Sequence, residues 1–196
     1  RLNVPANASA IMDVSGTATG IFYTGYQLSI GSGVTPTNWI SISSSPNRVT
    51  NGFMARIDTS VVPDGAAVVQ LVASNGNGGV AIVSAPVKVL NSLLPAPLSG
   101  DVLHPDKYEV RGTVYGPGKS YQVFYGAGLS PSKWMPISEP ATTSIIDGKL
   151  AEWDAGNLDN GEYALKLTTT SGTNTADFLA PAIYIDHHLK PGWPVH

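Results

Sequence analysis

Apolar residues recur at every second position over short stretches of this chain. Tyr163, Leu165, Leu167 and Thr169 alternate with Ala164, Lys166 and Thr168; Tyr121, Val123 and Tyr125 alternate with Gln122 and Phe124; Tyr26, Leu28 and Ile30 alternate with Gln27 and Ser29. A period of two belongs to a strand with one face on a core and the other in water. The pattern predicts strands near 2–5, 11–19, 25–31, 38–42, 53–58, 66–73 and 80–89, with equivalents 95–96 residues later. No run free of both Gly and Pro exceeds ten residues, whereas a mean α-helix takes about 11–12. A helical bundle or a βαβ enzyme is therefore set aside.

The constant offset exposes an internal repeat. Gly16-Thr17 returns as Gly112-Thr113, and Tyr26-Gln27 as Tyr121-Gln122. Gly31, Gly33, Pro36, Trp39 and Ile42 map onto Gly126, Gly128, Pro131, Trp134 and Ile137. Gly52, Ala55, Asp58, Gly65 and Leu71 map onto Gly148, Ala151, Asp154, Gly161 and Leu167. Two copies of one domain follow, at 1–91 and 92–186, with a tail at 187–196 leading to a further module. The joint is placed in Leu93-Leu94-Pro95-Ala96-Pro97, where two prolines favour a stiff, extended connection. About seven short strands per copy, separated by Gly, Pro, Asn or Asp, indicate an all-β fold of two tandem antiparallel β-sandwiches.

Composition narrows the function classes. Of 196 residues, 13 % are charged and the formal net charge is −3, so the surface is neutral and polar and a basic nucleic-acid interface is not expected. No apolar run reaches the roughly 18 residues of a membrane span. The absence of cysteine removes disulfides, thiolate metal sites and a Cys nucleophile. The chain begins at Arg1 and reads as a piece of a longer protein.

Residues with chemical potential have structural readings beside the functional ones. Trp39 and Trp134 suggest sugar-stacking platforms, but each occupies the same Gly-x-Gly-x-x-Pro-x-x-Trp-x-x-Ile frame and is assigned to a sandwich core, with Tyr26, Tyr121 and Tyr163. Trp153 stands where copy one has Ile57, an exchange that argues for packing. The paired glycines lack the following helix that a phosphate-cradling loop needs. Asp64-Gly65, Asn160-Gly161, Asn51-Gly52 and Asp147-Gly148 are read as turns before strands. Asp58 and Asp154 are expected to bond nearby backbone N–H groups rather than hold Ca²⁺. Asn75-Gly76-Asn77-Gly78-Gly79 is read as a hairpin loop. His104, His187, His188 and His196 accompany no hydrolase or metalloprotease motif, and neither catalytic residues nor a metal or other cofactor are expected. On the strand Ala67–Ala73, Val68 and Val72 occupy the face where copy two has Ala164 and Thr168, which marks them as an interface under a neighbouring domain or partner chain.

Both copies share a string: Gly-Thr, then Tyr-Gln-x-x-x-Gly-x-Gly-x-x-Pro-x-x-Trp-x-x-Ile, then Gly-x-x-Ala-x-x-Asp, then Asp/Asn-Gly before an alternating strand. This string resembles the fibronectin-III or immunoglobulin-like accessory repeats of large exported bacterial proteins, over roughly 11–90 and 107–185. Such repeats often accompany subtilisin-like protease domains, and Gly192-Trp193-Pro194-Val195 resembles the segment leading into FG-GAP-type repeats. Copy one departs from the pattern at Ala67, where copy two has Tyr163. The resemblance implies a non-catalytic spacer or presentation module, extracellular or on the cell surface, whose partners are neighbouring domains. The alternative is an adhesin-like or carbohydrate-binding module with a protein or glycan ligand, for which Phe22, Tyr23, Tyr115 and Phe124 are the candidate aromatics.

Overall fold

The computed structural model describes residues 1–189. The chain divides into two compact units between Asn91 and Ser92. Unit one contains β1 (Leu2–Asn3), β2 (Asn7–Ala8), β3 (Ile11–Ala18), β4 (Tyr23–Ser32), β5 (Ile40–Ser45), β6 (Val49–Asp58), β7 (Gly65–Asn75) and β8 (Val80–Val89). Unit two contains β9 (Ser92–Ala96), β10 (Val102–Leu103), β11 (Lys107–Val114), β12 (Lys119–Ala127), β13 (Met135–Pro136), β14 (Ile145–Asp154), β15 (Gly161–Ser171) and β16 (Asn174–Ile185). The described residues hold no α-helix.

Each unit is a sandwich of a three-stranded and a five-stranded sheet. The orders are β1-β3-β6 and β2-β8-β7-β4-β5 in unit one, and β9-β11-β14 and β10-β16-β15-β12-β13 in unit two, so the two topologies are the same. Eight strands appear where seven are expected, because the first strand of each copy is split and changes sheet. In unit one the break falls at Val4-Pro5-Ala6, between β1 and β2. In unit two it follows Ala96 and includes Pro97. This corrects the joint: Pro95 lies inside β9, which pairs with β11, and residues 93–97 build unit two rather than link the units.

The repeated residues outside the cores are structural devices. Gly16 and Gly112 lie where the first strand crosses. A Cβ on Gly16 would come within 2.3 Å of the Arg1 carbonyl oxygen, and one on Gly112 within 2.2 Å of the Leu93 oxygen. The threonine that follows clamps the opposite strand: Asn51 N–H donates to Thr17 Oγ1 at 3.0 Å, and Asp147 N–H to Thr113 Oγ1 at 3.0 Å. Asn51 and Asp147 have the same positive φ of 46° at matching register shifts of β3 with β6 and β11 with β14. Asn51-Gly52 and Asp147-Gly148 are thus bulges inside strands, not turns before them. Asp64 and Asn160 do stand at the start of strands. Each accepts the backbone N–H that closes its unit's last strand, from Asn91 and from His187 (2.8 Å) respectively.

The cores fill one frame with different side chains. In unit one, Leu28, Ile30, Ile57, Val69 and Val89 are fully buried and Tyr26 packs with them, its hydroxyl donating to the Met54 carbonyl at 3.2 Å. In unit two, Trp153 is 1 % exposed and lies between Tyr125 and Tyr163, with ring centroids 6.0 and 6.2 Å away. The counterparts of Tyr125, Trp153 and Tyr163 are Ile30, Ile57 and Ala67. A large aromatic trio replaces a smaller aliphatic one, and the exchange is concerted because a close-packed interior admits no single large ring without matching changes around it. Tyr121 is buried in the same core, and the Tyr163 hydroxyl donates to the Asp159 carbonyl at 3.0 Å.

Burial pushes the phenols of Tyr108, Tyr121 and Tyr163 above the ordinary tyrosine range, with Asp106 adding to the shift at Tyr108 and Asp159 at Tyr163. A folded pKa above the unfolded value means that the stabilisation is complete below the unfolded value, near 10, and is lost as pH rises through the folded ones. The urea midpoint of unit two is therefore expected to hold constant from neutral pH to about 9 and to fall above about 10. Tyr121→Phe should reduce the slope. A midpoint that stays flat well into that alkaline range would show that these phenols ionise as freely folded as unfolded.

Candidate functional site

The Gly-x-Gly-x-x-Pro-x-x-Trp-x-x-Ile frame builds the loop between β4 and β5, and between β12 and β13. Gly31 and Gly126 point away from the core, and a Cβ there would fall within 2.4 Å of Pro36 Cβ and Pro131 Cβ. The prolines thus fold back onto the outer face of the larger sheet. Gly33 and Gly128 supply the turn, with φ of 87° and 86°. Three residues separate the Trp from the Ile, an odd offset that places them on opposite faces of extended chain. Ile42 and Ile137 take the core side.

This geometry corrects the assignment of Trp39 and Trp134. Neither belongs to a core: Trp39 is 37 % exposed, and Trp134 is half-buried on the outer face. The ring in unit two has an ionic cover. Lys166 Nζ sits 4.8 Å from the Trp134 ring centroid and 5.1 Å from that of Phe124, and pairs with Asp177 Oδ2 at 3.6 Å. Asp177 Oδ1 accepts from Thr168 Oγ1 at 2.7 Å. Leu129, Pro131, Leu179 and Pro181 complete a shallow depression of about 290 Å³. A half-buried ammonium between two rings is held by the ring quadrupoles as well as by the carboxylate.

The corresponding face of unit one has no charge at its centre. Gln70 stands for Lys166, Ser29 for Phe124 and Ile82 for Asp177. Strands β4, β5 and β7 contain no charged residue, and β8 contains Lys88 alone. Charge is carried instead by the smaller sheets, where Arg56 and Asp13 meet at 2.7 Å and Lys149 and Glu152 at 3.0 Å. Val68 and Val72 are half-buried on the neutral face. Val68 lies opposite Gly31 and Pro86, and Val72 opposite Gln27 and Ile82.

The other candidates are occupied locally. Asp58 Oδ1 accepts from Ser60 N–H at 2.9 Å and Asp154 Oδ1 from Gly156 N–H at 3.0 Å. Asn75 Oδ1 accepts from Asn77 and Gly79 within its hairpin loop, at 3.1 and 2.7 Å. His187 Nε2 lies 2.8 Å from the Leu158 carbonyl, and the His104 carbonyl accepts from the Tyr108 hydroxyl at 2.5 Å. His196 and Gly192-Trp193-Pro194-Val195 lie outside the described residues. Among the described residues no group of three or more His, Cys, Asp or Glu could hold a metal ion, and no helix is long and apolar enough to cross a membrane. Of the four candidate aromatics, Phe22 is exposed, Tyr23 and Tyr115 are half-buried, and Phe124 lies beneath Lys166.

No protein-family model matches this chain, and no curated protein matches it. Solved structures do. The tetra-tandem repeat in the extending region of a large adhesion protein is 16 % identical with a TM-score of 0.38, over 95 % of this chain and 48 % of that one. The fibronectin(III)-like modules of Clostridium thermocellum CbhA are 16 % identical with a TM-score of 0.31, over 100 % of both chains. A Ca²⁺-stabilised adhesin with which an Antarctic bacterium binds ice is 15 % identical with a TM-score of 0.27, over 95 % of this chain and 49 % of that one. The chain thus spans about half the length of the two adhesion-protein structures. Its own sheets establish the architecture: two all-β sandwiches of one topology in tandem.

Proposed function

We propose that this chain is a non-catalytic spacer or presentation module of a larger exported or surface protein, which sets the distance between the domains on either side of it. The observation that carries this reading is the use made of the repeated residues. Gly-Thr, the Asn/Asp-Gly bulge, the Gly-Pro loop and the aspartate caps each shape or close a sandwich in both units, and none of them converges on a cleft. Function lives in sites placed on folds, and here what the two copies have in common is scaffold. The resemblance of the same string to accessory repeats of exported bacterial proteins supports the location.

A second reading rests on Trp134 and Lys166, whose rings and charge lie on an open face. That combination suits a glycan, which pairs an apolar ring face with hydroxyl donors and acceptors. A glycan array and a protein pull-down with the purified chain separate the two. A spacer is expected to show no saturable binding. Saturable glycan binding that Trp134→Ala abolishes would replace the spacer with a recognition module.

A further inference from the structure

Strand β8 lies near the edge of the larger sheet of unit one, and β2 covers only its end, at Lys88 and Val89. In an antiparallel pair, alternate residues turn both N–H and C=O toward the neighbouring strand or away from it. Lys88 and Leu90 donate to Ala6 and Ala8 at 2.9 and 2.8 Å, so the even-numbered residues of β8 face away from β7. Val80, Ile82 and Ser84 therefore offer their backbone groups at an edge where no described strand pairs. Pro86 has no N–H and closes the strip. Val80 and Ile82 are each 61 % exposed, and the first charged residue of the strand is Lys88.

The same edge in unit two is defended. Asp177 occupies the position of Ile82, and Lys166 and Thr168 hold it in place. A charged side chain on an edge strand is a means of refusing an added strand, and an exposed branched aliphatic residue there has the opposite effect.

We propose that the β8 edge joins two copies of this chain, with the Val80–Ser84 segments pairing antiparallel about a two-fold axis at Ile82. An identical strand is the occupant that fits. The axis sets Ile82 opposite Ile82 and Val80 opposite Ser84, so each outward-facing residue meets another and exchanges hydrogen bonds with it. Residues 1–91 carry four basic and three acidic side chains, which leaves little repulsion between copies, and the strip has no charge that would select an acidic or basic partner. Val72, beside Ile82 on the outer face, then lies next to the joint. This inference does not rest on the spacer reading, since edge pairing is independent of glycan binding.

Sedimentation of the full chain across a concentration series tests it. A reversible dimer is expected, and Ile82→Asp and Ser84→Pro should each weaken it by about tenfold or more, while Leu179→Asp on the unit-two edge leaves it unchanged. Circular dichroism establishes that each variant is folded. The chain has no cysteine, and opposed hydrogen-bonded residues have Cα atoms about 5.5 Å apart, within disulfide reach. Mild oxidation of Ile82→Cys, a small change at an exposed site, is therefore expected to give a covalent dimer that Leu179→Cys does not give. A wild-type chain that remains monomeric at every concentration overturns the proposal. So does a dimer indifferent to Ile82→Asp and Ser84→Pro, or cross-linking no greater for Ile82→Cys than for Leu179→Cys.

Discussion

Trp153→Ala is expected to destabilise unit two by about 3–5 kcal/mol, the cost of deleting a fully buried large ring. Loss of the two tilted ring contacts adds roughly 0.5–1.5 kcal/mol for each pair. A domain of this size holds about 5–15 kcal/mol in all, so the variant should be marginal at room temperature. Tyr125 and Tyr163, which bracket the indole, have no neighbour able to close the cavity between them. Trp153→Ile, which installs the unit-one residue, should recover only part of the loss, because unit one fits its isoleucine against Ile30 and Ala67 rather than two tyrosines. Trp134→Ala should cost about 1 kcal/mol or less, as befits a half-exposed ring on an outer face. Urea melts of the full chain, followed by circular dichroism, compare the three. Equal losses for Trp153→Ala and Trp134→Ala would refute this assignment of the core.

Gly112→Ala is expected to be the most damaging change of a single methyl group. The new Cβ would stand 2.2 Å from the Leu93 carbonyl oxygen and 2.7 Å from Leu150 Cδ1. Leu150 could rotate, but the Leu93 oxygen is backbone on a strand that pairs with β11, so β9 must move away. Overpacking of this kind costs about 1–3 kcal/mol and sometimes more, and the lost strand pairing would add to it. Gly20→Ala provides the contrast, since a Cβ there meets nothing within 4 Å, and its stability should stay within about 0.5 kcal/mol of wild type. Differential scanning calorimetry of both variants decides the matter: a Gly112→Ala chain that melts with the wild type would mean the crossing strand is free to shift.

The sandwich class, the two copies and most strand positions were legible in the sequence, because alternation and a constant offset depend on local geometry alone. Asp58 and Asp154 were legible for the same reason: a carboxylate reaching an N–H two residues on is a local event. The unit-two outer face was less so. Lys166, Phe124, Trp134 and Asp177 come from four separate segments, and no spacing along the chain brings them together. The asymmetry between Ile82 and Asp177 had a visible signal in the aligned copies, but its meaning required knowledge of which strand lies at the edge.

By itself, the sequence determined that short strands would form, that they would form twice, and where glycine, proline and asparagine would interrupt them, since these follow from side-chain period and backbone freedom. Tertiary structure decided which side of a strand each conspicuous residue would occupy. Both members of the Trp-x-x-Ile pair are apolar enough for a core, yet an odd spacing in extended chain admits only one, and the loop proline seated on Gly31 or Gly126 sent the tryptophan outward. The repeated bulge was likewise decided by pairing, because Asn51 and Asp147 become bulges only when a threonine on the opposite strand receives their N–H groups.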